Sequence, residues 1–192
     1  SNARYNLQEA EKNGVKLGVY FFSTAISKEE AVEEADWTAD FIAQYPITYP
    51  VVYDCEGFTD MESRQYGMSK TERTDIALAF LKRIEQRGYE GMFYAAKNEL
   101  QDETLWETSR IEKKYKIWVA QFPGDADPAV HTSSYAGGHQ MWQYTMEGSV
   151  PGISQKVDMD VAYFGYDGVE KPKDETPPEE AFPDVEALMD FT

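Results

Sequence analysis

The sequence is poor in cysteine and in basic residues, and each shortage excludes a class of function. Cys55 is the only cysteine, so the chain cannot close an internal disulfide and has too few thiols for a structural zinc site. Only 18 lysines and arginines oppose 35 aspartates and glutamates, which gives a formal net charge of −17. Because nucleic acids and acidic membrane surfaces are bound through Lys and Arg, neither partner is expected.

Long apolar runs are also missing. No segment approaches the roughly 20 apolar residues of a membrane-spanning helix, so no membrane insertion is predicted, and the N-terminus shows no signal-peptide pattern. Residues 1–3, Ser-Asn-Ala, resemble the remnant of an expression tag. Hydrophobic residues nevertheless make up 42% of the chain and aromatic residues 14%, which is enough to build a core.

Along the chain, segments in which apolar residues have the spacing of a strand alternate with segments in which they have the spacing of a helix. Short β-type runs are separated by segments of helical period, the pattern of a parallel sheet with crossover helices, so the predicted class is α/β. Two helices carry a capping-box signature, beginning at Ser27 and Ser69. The predicted helices cover 7–13, 28–45, 70–87 and part of 100–114, and the predicted strands cover 15–22, 49–56, 91–96, 116–122, 140–144 and 157–162.

The composition changes after Tyr166. Residues 170–190 contain eight acidic residues, two lysines and four prolines without a convincing period. We therefore predict one domain over residues 4–166 and an acidic tail or linker over 167–192.

Two carboxylates end the second predicted strand, in the run Asp54-Cys55-Glu56. Side chains two positions apart on a strand share a face, with Cα atoms about 6.5 Å apart. Environment can separate the pKa values of two such carboxylates, so that one is ionised while the other holds a proton, as glycoside hydrolysis requires. A helix cap or a solvated loop would produce the same short pattern.

Aromatic and amide residues recur on the predicted strands. They favour a carbohydrate site, in which rings stack on sugars and amides supply hydrogen bonds, although core packing explains the rings equally simply. Asp158 and Asp160 follow on the last strand, where the alternative is a solvated edge. The candidate substrate-binding residues are Tyr20, Tyr53, Tyr94, Trp118, Gln121, Trp142 and Gln143.

Five segments, in order, resemble the motifs of glycoside hydrolase family 25, the Chalaropsis-type lysozymes or N-acetylmuramidases of bacteria and phages. They are residues 18–23, 49–56, 117–122, 142–144 and 157–160. The resemblance implies an irregular TIM-like β/α barrel that cleaves the β-1,4 bond between N-acetylmuramic acid and N-acetylglucosamine. It also implies Glu56 as general acid, Asp54 as its strand partner and Asp158 as a carboxylate of the last strand. Peptidoglycan strands would be the substrate, at the cell wall or outside the cell, with no metal or cofactor.

The sequence departs from this family at its start. Members normally open with a Gly-Ile-Asp-Val-Ser strand and a second strand, and neither is found before the helix near Tyr5. We therefore expect a barrel incomplete at its N-terminus, an open edge at Val15 to Phe22 that self-association or the tail could cover, and little muramidase activity from this chain alone. The alternatives are a glycan-binding module without turnover and, less favoured, a metal-dependent hydrolase with Asp54, Glu56 and Asp158 as ligands.

Overall fold

A computed structural model describes residues 2–124 and 126–165 of the chain. In this part, no helix combines the length and the apolar character needed to cross a membrane. The predicted tail, residues 167–192, lies outside the described residues. The elements are α1 (Asn2–Lys12), β1 (Leu17–Phe22), α2 (Lys28–Ile42), β2 (Ile47–Asp54), α3 (Lys70–Gln86), β3 (Gly91–Ala96), α4 (Lys97–Gln101), α5 (Thr108–Glu112), β4 (Lys116–Ala120), β5 (Met141–Gly148) and β6 (Val157–Ala162).

The chain forms two compact units. Among the described residues, the first contains those before Tyr94 together with Thr104–Tyr115, and the second contains Tyr94–Glu103 and those from Lys116 to Gly165. In the first unit β1, β2 and the start of β3 pair in parallel, in chain order. Helices α2 and α3 pack on each other, and α3 also packs on β2. This parallel arrangement follows from the crossover helices between consecutive strands.

The second unit contains the one reversal of direction. Strands β4 and β5 are parallel, whereas β5 and β6 are antiparallel. A purely parallel sheet was predicted, and this is wrong for β6. Only eight residues connect β5 to β6, and they include a turn at Gly152 with φ of +93°. Because a parallel crossover needs a dozen or more residues, this connection can only return the chain antiparallel.

The N-termini of α2 and α3 agree with prediction, whereas α1 begins at Asn2, five residues before its predicted start. Ser69 and Glu72 form a complete capping box, because the Ser69 hydroxyl accepts from the Glu72 N–H and the Glu72 carboxylate accepts from the Ser69 N–H. At α2 only half of the box is present, since Glu30 accepts from the N–H of Ile26 instead of Ser27. The helix predicted within 100–114 is α5, a short helix, and α4 is an additional short helix that precedes it.

Strand β1 exposes one face. Among the described residues it pairs with β2 alone, and Tyr20 and Phe22 are 65% and 51% exposed. Leu17 and Phe21 point to the other face, where Leu17 is buried against Tyr45 and the ring of Phe21 contacts Phe80. These apolar side chains support the predicted self-association, which stays a prediction to be checked by light scattering.

Gly18 permits the close approach of β1 to β2. A Cβ at this position would lie 2.8 Å from Cβ of Tyr49 and 3.0 Å from the carbonyl oxygen of Pro50, both in the neighbouring strand. We therefore expect Gly18→Ala to lower the free energy of unfolding by roughly 1–3 kcal/mol, because the two strands must separate. Denaturant unfolding measures this. Gly138→Ala is the control, since a Cβ there meets nothing within 4 Å, and equal stability of the two variants would contradict the prediction.

Candidate active site

The carboxylates Asp54 and Glu56 lie at the carboxyl end of β2 in the first unit. Asp54 is the last residue of the strand and is 6% exposed, whereas Glu56 is partly exposed in the segment that follows. The next residue, Gly57, has φ of +67°, a left-handed conformation that turns the chain away from the strand direction. The strand therefore ends at Asp54, two residues before its predicted end, with Asp54 buried and Glu56 accessible, and the convergence of the two carboxylates on one site stays a prediction.

Hydrogen bonds on both sides hold this strand end in place. The Ser23 N–H donates to the carbonyl oxygen of Asp54 at 2.7 Å, which extends the pairing of β1 with β2. The buried thiol of Cys55 donates to Oε1 of Gln65 at 3.0 Å, and Nε2 of Gln65 donates to the carbonyl oxygen of Ala25 at 2.8 Å. Gln65 therefore links the chain between the two carboxylates to the loop after β1.

A further carboxylate, Glu34 on α2, binds the loop after β1. It accepts from the Ser23 hydroxyl at 2.6 Å and from the Thr24 N–H at 3.1 Å. Burial raises the pKa of Glu34, although these two hydrogen bonds oppose the shift. Because its contacts are all to the loop backbone and Ser23, we assign Glu34 a structural role.

Arg73 on α3 holds the loop that follows Glu56. The side chain is 4% exposed and donates to the carbonyl oxygens of Leu105 at 2.6 Å and Met68 at 2.8 Å. Its guanidinium lies 3.9 Å from the ring centroid of Phe58, a buried residue two positions after Glu56. Sequence reasoning missed Arg73, because a basic residue in a capped helix is normally solvated and no local signal marks this one.

Tyr53 has to be corrected from a substrate-binding residue to a core residue. Its ring has no exposed surface and packs against Phe80 and Phe93, with centroids 5.3 and 6.1 Å away. Strand alternation explains this, since Tyr53 points to the face of β2 opposite to Asp54. Tyr20 is exposed, as a glycan-binding ring must be.

In the second unit, four side chains from successive strands meet. The Tyr94 hydroxyl donates to Oε1 of Gln143 at 2.9 Å, and the Tyr94 ring contacts Trp118 edge-on at 4.9 Å. Nε1 of Trp118 donates to Oδ1 of Asp160 at 2.9 Å. Tyr94 and Trp118 are both partly exposed. Three of the predicted residues are thus brought together, and Asp160 joins them although it was not predicted.

Trp142 and Gln121 need correction. Trp142 is fully buried, and its Nε1 donates to the carbonyl oxygen of Gln121 at 2.9 Å. The Gln121 side chain is 5% exposed; its Oε1 accepts from the Ser133 hydroxyl and the Ser134 N–H, and its Nε2 donates to the Ser134 hydroxyl. Because this amide already binds the loop after β4, it anchors that loop instead of a glycan.

Asp158 and Asp160 both lie on β6 in the second unit and have accessible side chains. The protein atoms around each carboxylate displace solvent and raise its pKa, to about 7 for Asp160. The inclusion of Asp158 in one site with Glu56 stays a prediction. Within the described residues, no group of three His, Cys, Asp or Glu side chains is arranged to hold a metal ion.

Comparison with known proteins identifies the family. The profile described as "Glycosyl hydrolases family 25" matches residues 1–153, which is more than half of the chain. No curated protein matches the sequence.

Solved structures give the same fold. The modular autolysin LytC of Streptococcus pneumoniae is 25% identical, with a TM-score of 0.66 over 81% of this chain. The bacterial lysozyme of Streptomyces coelicolor is 23% identical, with a TM-score of 0.62 over 84%. The spore cortex lytic enzyme SleM of Clostridium perfringens is 21% identical, with a TM-score of 0.64 over 82%.

The chain is shorter than these relatives. It spans 36% of the autolysin, 52% of SleM and 74% of the Streptomyces lysozyme. The family match ends before β6 and includes β1 to β5, and the matches confirm the predicted α/β class and the resemblance. The chain belongs to glycosyl hydrolase family 25.

Proposed function

We propose that this protein is a muramidase, which hydrolyses the β-1,4 bond between N-acetylmuramic acid and N-acetylglucosamine in peptidoglycan. Family membership together with the Asp54 and Glu56 pair at the end of β2 supports this proposal. A glycosidase needs one carboxyl group to protonate the leaving oxygen and a second, ionised carboxylate. The two carboxyl groups differ in exposure, and the family resemblance, not burial, assigns the proton donor.

Each carboxylate has a distinct role in this proposal. Glu56, the accessible member, donates the proton to the glycosidic oxygen. Asp54 and Asp158, in their ionised forms, stabilise the positive charge that develops on the sugar carbon. Tyr20, Tyr94, Trp118 and Gln143 bind the glycan.

Two structurally similar proteins have been solved with peptidoglycan ligands. The pneumococcal autolysin has been solved with a synthetic peptidoglycan ligand, and the Cpl-1 endolysin with a peptidoglycan analogue. The second likeness, at 18% identity, supports the fold alone. By extension, the glycan strands of the cell wall are the proposed partner of this chain, and the wall or the extracellular space is its proposed place of action.

Product analysis tests the proposed function. Purified peptidoglycan is incubated with the protein, the new reducing ends are reduced with borohydride, and the fragments are identified by mass spectrometry. A muramidase leaves reduced N-acetylmuramic acid at the new ends. Reduced N-acetylglucosamine would contradict the bond assignment, and sedimentation with peptidoglycan without new reducing ends would favour a binding module.

A further inference from the structure

Trp118 is oriented by contacts to neighbouring strands of the second unit. Its indole N–H has one hydrogen to donate, and this is directed at Oδ1 of Asp160, 2.9 Å away. Strand β5 lies between β4, which carries Trp118, and β6, which carries Asp160, so this hydrogen bond spans three strands. The Tyr94 ring meets the indole edge-on, with centroids 4.9 Å apart.

Gln143 supports both neighbours of the indole. It is 6% exposed and lies on β5, in register with Ala120 of β4 and Asp160 of β6. Its Oε1 accepts from the Tyr94 hydroxyl at 2.9 Å. Tyr94 and Asp160 therefore contact the indole from β3 and β6, and Gln143 fixes the position of Tyr94.

A carboxylate is well suited to hold this ring. Trp118 is only partly buried, so packing alone leaves its side chain freedom to rotate. A charge-assisted hydrogen bond to an ionised carboxylate is about twice as strong as one to a neutral acceptor. Stacking on a sugar depends on the orientation of the ring, and a ring that is already oriented loses less conformational entropy on binding.

We propose that Asp160 is a positioning residue for Trp118, which holds the indole in the orientation that stacks on a glycan ring. The glycan part of this inference rests on the proposed function, whereas the positioning of the indole does not. Asp160 acts through Trp118 and not on the reacting bond, which distinguishes it from Asp158 on the same strand.

Titration of Asp160 provides a reporter for this contact. The surrounding protein displaces solvent from the Asp160 carboxylate, which raises its pKa. The negative charge of Asp158 raises this pKa further, and the hydrogen bond from the Trp118 N–H lowers it. Tyr144 on β5 is the other titratable neighbour, and its own pKa is raised by burial, by Asp160 and by Asp127. With a pKa of about 7, Asp160 changes charge near neutrality, and the indole N–H should respond.

Nuclear magnetic resonance of the ¹⁵N-labelled protein measures that response. The chain has four tryptophans, and the indole signal missing in Trp118→Phe assigns Trp118. In the unsubstituted protein this signal should shift with a midpoint near pH 7. Asp160→Asn keeps an oxygen acceptor but cannot titrate, so the shift should disappear. Asp160→Ala should displace and broaden the signal, whereas Glu147→Ala, an exposed control on β5, should leave it unchanged.

Binding of the tetramer of N-acetylglucosamine, measured by calorimetry, tests the consequence. We expect Asp160→Ala to raise the Kd about 10-fold through lost preorganisation. The Kd of Asp160→Asn at pH 6 should stay within about 2-fold of that of the unsubstituted protein, since asparagine retains the oxygen acceptor. An unchanged Trp118 signal in Asp160→Ala, or a persisting titration in Asp160→Asn, would overturn the proposal. If the unsubstituted protein did not bind the tetramer, the claim that Trp118 stacks on a glycan would be overturned. The indole signal alone would then test whether Asp160 orients Trp118.

Discussion

Glu56→Gln is expected to lower the rate of peptidoglycan hydrolysis, itself expected to be low in the unsubstituted chain, at least about 100-fold, because glutamine keeps the shape of the side chain but cannot donate a proton to the leaving oxygen. Glu56 follows the buried end of β2 and is partly exposed, so substrate can reach it. The measurement is the rate at which new reducing ends appear, compared with the unsubstituted protein.

The matched control is Glu62→Gln, which removes an exposed carboxylate six residues further along the same loop. This variant should hydrolyse peptidoglycan within about 2-fold of the rate of the unsubstituted protein. Such a result would show that the loss of one negative charge does not cause the drop in Glu56→Gln. A Glu56→Gln variant that retained more than about a tenth of the activity would contradict the assignment of Glu56 as general acid.

Arg73→Met is expected to lower the free energy of unfolding by about 3 kcal/mol. Methionine fills part of the space of the arginine stem, but the partly buried carbonyl oxygens of Leu105 and Met68 lose their donor, and a buried acceptor left unsatisfied costs roughly 1–3 kcal/mol. The contact of the guanidinium with the Phe58 ring is also lost. Urea unfolding followed by circular dichroism measures the change.

Arg64→Met provides the same substitution at an exposed position. Arg64 donates to Glu30 and to the carbonyl oxygen of Thr24, and its side chain is 53% exposed. Solvent replaces these contacts, so the expected cost is below about 1 kcal/mol. If the two variants were equally stable, Arg73 would not be the residue that holds the loop after Glu56.

Local patterns in the sequence were sufficient for most elements of the fold. Strand β2 and helix α3 could be placed because the apolar run at residues 49–53 and a capping box at Ser69 act through near neighbours. The two carboxylates Asp54 and Glu56 were recognised from their place at the end of an apolar run, although β2 itself ends at Asp54. The number of strands and their positions along the chain followed from the alternation of strand and helix spacings of the apolar residues.

Side-chain environments could not be predicted in the same way, because they depend on residues distant in sequence. Tyr53 and Tyr20 are both aromatic residues on apolar strands. Tyr53 is buried against Phe80 and Phe93, whereas Tyr20 is exposed. Gln121 and Gln143 are both buried amides, but Gln121 binds the loop residues Ser133 and Ser134. No local pattern separates the members of either pair.

The sequence alone therefore determined the α/β class and the family, because these depend on local period and on motifs that are contiguous in the chain. Only the tertiary structure decided that β6 runs antiparallel, that Arg73 is buried and that Asp160 binds Trp118. Trp118 and Asp160 are separated by 42 positions in the sequence, and this separation is why no local pattern could predict their contact. A hydrogen bond across three strands exists only after the strands have paired, and pairing depends on the lengths of the connections and on packing along the whole unit.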